Sequence, residues 1–163
     1  MPGVDLDRGA ALRAAAAVRV PGRLETVGTA QLTVLDGAHN PHAAAALAAE
    51  LPALLGGRRP RVLVVAILAD KDADGVLREL APHVDVCVAT QTGSPRARPA
   101  AELAARAEAV GLPAVVEPDP TSAVARARAD AGPDGAVLVT GSLSLLADLA
   151  AEAATRGGVR WPG

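Results

Sequence analysis

The sequence predicts an α/β domain in three layers, built on a mostly parallel sheet of about five or six strands. Short runs rich in Val, Leu and Ile alternate along the chain with alanine-rich helical patterns of roughly 10–15 residues, the alternation that βαβ units produce. The run at 62–67, Val-Leu-Val-Val-Ala-Ile, is apolar throughout, as in a strand covered by helices on both faces. A length of 163 residues, half of them apolar, suits one domain with a sustained core.

Taken in order, residues 5–18 carry an alanine-rich helical stripe that stops before the Pro21-Gly22 breaker. Residues 1–20 therefore read as a linker helix ahead of a domain over 21–156. Leu24 to Leu35 reads as extended chain with a turn near Gly28-Thr29, the second strand being 32–35. From Pro41 to Leu55 the pattern is helical. Asn40 stands where an N-cap belongs, and Pro41 takes the first helical position, where its missing N–H costs nothing. The strand at 62–67 leads through Asp70-Lys71-Asp72 into a helix to Leu80, with Asp72 as its cap. A strand at 84–89, a polar loop from Thr90 to Arg98 and a helix from Pro99 to Val110 follow. Next come a strand at 114–116, a helix opened by Asp119-Pro120 and running to Ala131, and a strand at 136–140. The last helix starts after Gly141-Ser142 and runs to about Ala154, and the tail at 157–163 reads as flexible.

Composition narrows the function. There are 16 basic and 18 acidic side chains, a formal charge of -2, and Trp161 is the sole aromatic residue. That excludes a nucleic-acid surface built on a broad basic field or on stacking aromatics. Cys87 has no partner for an internal disulfide and no zinc-type spacing around it, and inside a predicted strand it reads as an inert core thiol. His42 and His83 have no partners at ligand spacing, so no metal is assigned to the side chains. The opening residues lack a basic region followed by a hydrophobic stretch, and no apolar run approaches the ~20 residues that span a bilayer. A cytoplasmic protein without a membrane partner is expected.

In open α/β sheets ligands bind outside the carboxyl ends of the strands. That rule selects residues 36–41, 68–72, 90–98 and 140–142, which hold a large share of the conspicuous polar residues. Asp36-Gly37-Ala38-His39-Asn40-Pro41 ends a strand and starts a helix, so backbone amides and the positive helix end face the mouth of the sheet, a natural place for a phosphate. The alternative is that Asp36 caps the turn and His39 packs locally. Lys71, between two carboxylates, is either a phosphate or carboxylate contact or one half of a surface ion pair. Arg23, Arg96 and Arg98 each either fork to an anion or lie solvated. Ser142 fits an N-cap. It is no nucleophile, because the Gly-x-Ser-x-Gly elbow is missing. No Walker-type loop and no Gly-x-Gly-x-x-Gly fingerprint occurs in residues 1–163.

Pro21-Gly22-Arg23-Leu24-Glu25, Asp36-Gly37-Ala38-His39-Asn40-Pro41, Asp70-Lys71-Asp72, Ser94-Pro95-Arg96-Ala97 and Thr140-Gly141-Ser142 fall in an order and spacing that resembles the C-terminal domain of folylpolyglutamate and dihydrofolate synthases, members of the Mur ligase superfamily. The hexapeptide is highly specific; the shorter pieces gain weight from their order. The resemblance implies a Rossmann-like domain of the Mur ligase C-terminal (glutamate ligase) type over 21–156. It implies a reaction in which ATP phosphorylates a substrate carboxylate and an amine attacks the acyl phosphate. A central domain, in cis or in trans, supplies the P-loop, most of the Mg2+ ligands and much of the pterin site, and the C-terminal domain closes over it. Folate or dihydropteroate and L-glutamate are the implied substrates. Carried onto this chain, the resemblance makes Arg23 and Asp36 nucleotide contacts, Asp36 toward the ribose, with Lys71 on the same face. His39 becomes the catalytic residue near the phosphates and the reacting carboxyl, and Ser94 and Arg96 form a substrate-side loop. The first two-thirds of the family pattern is missing, which points to a closing domain that is inactive alone. The alternatives are a stand-alone nucleotide- or partner-binding module and the closing domain of a cell-wall Mur ligase.

Overall fold

A computed structural model describes residues 22–27 and 31–155. The helix expected at 5–18, Pro21, the turn at Gly28-Thr29, Trp161 and the tail at 157–163 lie outside the described residues.

Among those residues one six-stranded sheet runs in the order β1-β2-β6-β3-β4-β5. The strands are β1 (Glu25–Val27), β2 (Leu32–Leu35), β3 (Arg61–Val65), β4 (Val86–Ala89), β5 (Ala114–Val116) and β6 (Ala136–Thr140). β1 is antiparallel to β2 and every other pairing is parallel. The helices are α1 (Pro41–Leu55), α2 (Ala73–Leu80), α3 (Ala100–Ala109), α4 (Pro120–Ala131) and α5 (Leu143–Thr155).

The two faces of the sheet separate cleanly. Leu63 and Val65 of β3, Cys87 of β4 and Leu138 of β6 pack with α1, α2 and α3 through Leu47, Leu51, Val76, Leu77 and Leu103. Val62, Val64, Val88 and Val139 point the other way, onto Ala123 and Ala127 of α4 and Leu145 of α5. This is what right-handed crossovers require: steps from β2 to β3, β4 and β5 move one way and keep their helices on one face, while the return to β6 puts α4 on the other. The loop after β6 therefore leaves toward a different face from the loops after its neighbours β2 and β3, which makes β6 the switch point of the sheet.

Helix starts match the local sequence. Asn40, Asp72 and Asp119 cap α1, α2 and α4 by accepting from Ala43 N, Gly75 N and Ser122 N. Strand ends differ more. β3 covers 61–65, not 62–67, because the ladder ends where Val65 meets Thr140 and Ala89, although Ala66 and Ile67 stay buried beyond it. β4 begins at Val86, not Val84; residues 81–83 form a single 3-10 turn, and the Asp85 carboxylate accepts from Arg61 N at 2.7 Å. α3 runs from 100 to 109, inside the expected 99–110, with Pro99 at its cap position.

Candidate functional site

The end of β2 is fastened from both sides. Asp36 N extends the ladder to Val139 O at 3.0 Å, and Ala38 O accepts from Gly141 N at 2.9 Å and from Thr140 Oγ1 at 3.3 Å. Gly141 has φ +103, and a side chain there would bring Cβ within 2.5 Å of Ala66 O. Glycine is thus what lets the ends of β2, β6 and β3 close on one another.

Asp36, only 7% exposed, uses both carboxylate oxygens. Oδ1 accepts from Ala38 N at 2.8 Å and Oδ2 from Leu24 N at 3.1 Å. Gly37 N donates to Gly22 O at 2.7 Å. These bonds dock the turn at 22–24 onto the loop after β2 and hold Leu24 at φ +48, a left-handed conformation that a side chain resists. The turn presents Arg23, which is exposed and has no hydrogen bond or ion pair among the described residues.

His39 Nδ1 lies 2.9 Å from Gly37 O. A carbonyl only accepts, so Nδ1 carries the hydrogen, and Nε2 is the ring's remaining polar atom: an acceptor when the ring is neutral, a donor when it is charged. The start of α1 is largely capped from within. Asn40 Oδ1 takes Ala43 N at 2.9 Å, Asn40 O takes Ala44 N at 2.9 Å, and Pro41 has no N–H. Gly37, Ala38, Ala43 and Ala44 N are thus engaged within the protein, which leaves fewer amides to face the mouth than the local sequence suggests. Ser142, 2% exposed just before α5, accepts from Ser144 N at 3.0 Å.

Arg23, Asp36 and His39 line one cleft of about 460 Å³, whose floor and wall include Leu47, Glu50 and Leu143. Leu143 is 58% exposed, a large apolar side chain left open at the rim. Nothing in the local sequence singled out Glu50 or Leu143. Each reaches the cleft through a neighbour in space, α1 folding beside the loop after β2 and α5 starting after β6.

Lys71, Ser94 and Arg96 do not line that cleft. They lie beyond the carboxyl ends of β3 and β4, where the two loops form a short antiparallel bridge at Leu68 and Ala97, with Ala69 N donating to Arg96 O at 2.9 Å. Arg96 Nη2 meets Asp70 Oδ2 at 2.6 Å, and Lys71 Nζ lies 3.6 Å from the same oxygen. The Arg96 hydrogen bond holds the Asp70 carboxyl below its usual range. Of the two carboxylates that flank Lys71 in sequence only Asp70 pairs with it, since Asp72 is engaged as the cap of α2. Ser94 Oγ accepts from Arg96 N at 3.2 Å, and Gly93 N donates to Asp148 Oδ2 of α5 at 2.9 Å. Arg98 is neither solvated nor free to fork to a ligand. Buried to 7% exposure, its guanidinium donates to Ala69 O, Lys71 O and the Glu102 carboxylate. The one local sign of this was the spacing to Glu102, four residues on.

Cys87 is buried, and desolvation pushes its thiol up to about 12. His42 is exposed on α1 and His83 sits partly exposed in the 3-10 turn. No group of three His, Cys, Asp or Glu side chains that could hold a metal ion occurs among the described residues, and none of their helices is long and apolar enough to cross a membrane.

The model of the Mur ligase glutamate ligase domain matches residues 22–143. The dihydrofolate synthase/folylpolyglutamate synthase of Mycobacterium tuberculosis is 48% identical over 90 residues, 55% of this chain and 18% of that protein. Escherichia coli FolC in complex with DHPP and ADP superposes with a TM-score of 0.81 at 30% identity over 96% of this chain. The bifunctional enzyme solved with Mn, AMPPNP and L-glutamate bound gives a TM-score of 0.74 at 34% identity over 83%. The chain spans 36% and 32% of those two solved chains.

Proposed function

The chain belongs to the glutamate ligase domain family of the Mur ligases, and from that premise we propose that it closes the active site of an ATP-dependent carboxylate–amine ligase that adds L-glutamate to folates or to dihydropteroate. The observation that carries the reading is the convergence of Arg23, Asp36 and His39 on one cleft at the carboxyl end of β2. In the proposed reaction a substrate carboxylate oxygen takes the γ-phosphoryl group of ATP and ADP leaves. The amine nitrogen of the incoming amino acid then attacks the acyl carbon, phosphate leaves and an amide forms.

Arg23, a cation without a partner among the described residues, supplies the charge for the nucleotide phosphates. Each Asp36 oxygen already accepts one backbone amide and keeps a further lone pair, enough for ribose hydroxyls. His39 Nε2, once the ring is protonated, donates toward the phosphates and the reacting carboxyl. Lys71, which the resemblance groups with the nucleotide contacts, lies outside that cleft beside Ser94 and Arg96, and the three form a second group assigned to the carboxylates of the amino-acid substrate. The Mg2+ of such a ligase is assigned mainly to the central P-loop domain, in cis or in trans; no group of three His, Cys, Asp or Glu side chains stands ready for it among the described residues. Closing one domain on the other expels water and shields the acyl phosphate, so the chain alone is inactive. A cytoplasmic setting belongs to the same proposal.

The test replaces the matching segment of the Mycobacterium tuberculosis dihydrofolate synthase/folylpolyglutamate synthase with this chain. Glutamate addition to dihydropteroate and to folate is then assayed. The chimera restores activity, the chain alone shows none, and R23M and H39A each lower kcat/KM by about tenfold or more. An inactive chimera together with micromolar ATP binding by the isolated chain overturns the reading in favour of a stand-alone binding module; activity on muramyl precursors instead assigns a cell-wall ligase.

A further inference from the structure

Arg98 contributes nothing to the cleft, yet it is the most deeply buried charged side chain near the site apart from Asp36. Its partners lie on two elements. Nη2 donates to Ala69 O at 2.8 Å and to Lys71 O at 3.1 Å, and Nη1 donates to Glu102 of α3. Its own backbone N–H reaches Ile67 O at 3.3 Å. Glu102 is held in turn by Arg106 at 3.1 Å, and Arg106 binds both oxygens of Asp74, in the first turn of α2, at 3.0 Å. The loop that carries Asp70 and Lys71 is thus tied through one guanidinium to the helix that follows Arg96.

This use of a buried cation is expensive, and Nε of Arg98 is left without an acceptor. Stability alone does not explain it. Ala69 is exposed and Lys71 partly so, so water can take both carbonyls if the guanidinium is removed, and Glu102 keeps Arg106. What water cannot replace is the planar fork that joins the loop to α3, with Nη2 donating to two carbonyls two residues apart while Nη1 holds Glu102. We propose that Arg98 is a positioning residue: it sets the place of Lys71 and of the Asp70–Arg96 pair relative to each other, so that the two cations reach a ligand as one unit. The kinetic consequence rests on the function proposed above, in which those cations face the carboxylates of the incoming amino acid.

Two measurements test it. Amide hydrogen exchange on the 163-residue chain compares wild type with R98M and R98K. R98M speeds exchange at Ala69, Lys71 and Ala97 by about tenfold or more and leaves β6 unchanged, and R98K, which keeps a charge but not the fork, lies between. In the chimeric ligase R98K raises KM for L-glutamate about fivefold or more with kcat and KM for ATP within about twofold. Unchanged exchange at the three loop amides overturns the proposal, as does faster exchange with KM for glutamate unmoved. If R98M does not fold, R98K decides by the same two readouts. A chimera with no glutamate addition even with Arg98 in place, together with micromolar ATP binding by the isolated chain, refutes the proposed function instead, and the exchange data then judge the clamp alone.

Discussion

Replacing Asp36 separates its fastening role from any contact with a ligand. The bond from Ala38 N is buried and 2.8 Å long, and a charge-assisted bond of that kind contributes about 2 kcal/mol net. The bond from Leu24 N is 3.1 Å long and half-buried, where water offers a substitute, so about 1 kcal/mol is at stake. D36A therefore costs about 3 kcal/mol, which in a chain of this size lowers Tm by roughly 6–12 °C. D36N keeps one oxygen for one amide but turns an NH2 group toward the other donor, for a loss of about 2 kcal/mol. Thermal unfolding followed by circular dichroism gives the stability, and amide exchange at Leu24, Gly37 and Ala38 shows where it is lost. Leu24 is the sensitive reporter, because its φ of +48 persists only while the turn is docked. A D36N chain as stable as wild type to within about 0.5 kcal/mol, with unchanged exchange at Leu24 and Ala38, refutes the fastening role.

Two further outcomes follow from the charges and the thiol. Asp70 is exposed and its hydrogen bond from Arg96 lowers its pKa, so its carboxyl carbon titrates with a midpoint below the usual 3.8. The folded state therefore releases that proton more readily than the unfolded chain: the pair's small contribution is intact above the unfolded value and is lost as pH falls through the folded one. R96M brings the midpoint back up, and an NMR titration in which R96M changes nothing removes the assignment. Cys87, with its thiol pushed up to about 12, stays unlabelled by a maleimide at pH 8 in the folded chain and reacts only on unfolding. Rapid labelling under native conditions contradicts its burial in β4.

Local chemistry made some of this legible and long-range pairing hid the rest. Helix starts could be read because the capping group and the amide it takes lie three residues apart, as in Asn40 with Ala43 and Asp119 with Ser122. The ends of β3 could not, since a fully apolar run looks the same inside and beyond the ladder; the stop at Val65 is set by Thr140 and Ala89, which lie far along the chain. Strand order was equally hidden. Placing β6 between β2 and β3 brings Thr140 and Gly141 onto the loop after Asp36 across about a hundred residues, a contact no window of sequence contains. The same holds for Arg98. In the sequence it stands beside Arg96 in one loop, two cations of equal promise. In space one is exposed on Asp70 and the other is sunk against carbonyls 29 and 27 residues away.

The two groups at the carboxyl edge of the sheet share one physical arrangement. In each, a buried ionic side chain holds backbone: Asp36 the turn at 22–24, Arg98 the loop at 69–71. The cations left facing outward are cheap to recruit. Arg23 has no partner to give up among the described residues, and Arg96 and Lys71 share one exposed carboxylate, a kind of pair that contributes little. A phosphate or a substrate carboxylate therefore displaces little when it binds, and the backbone that carries the charges is already ordered, which spares the entropy of arranging it. On the proposed reading, closure brings a rigid set of weakly committed cations onto an anionic nucleotide and amino acid. The energy of those contacts then goes into holding the reacting groups together and not into building the site.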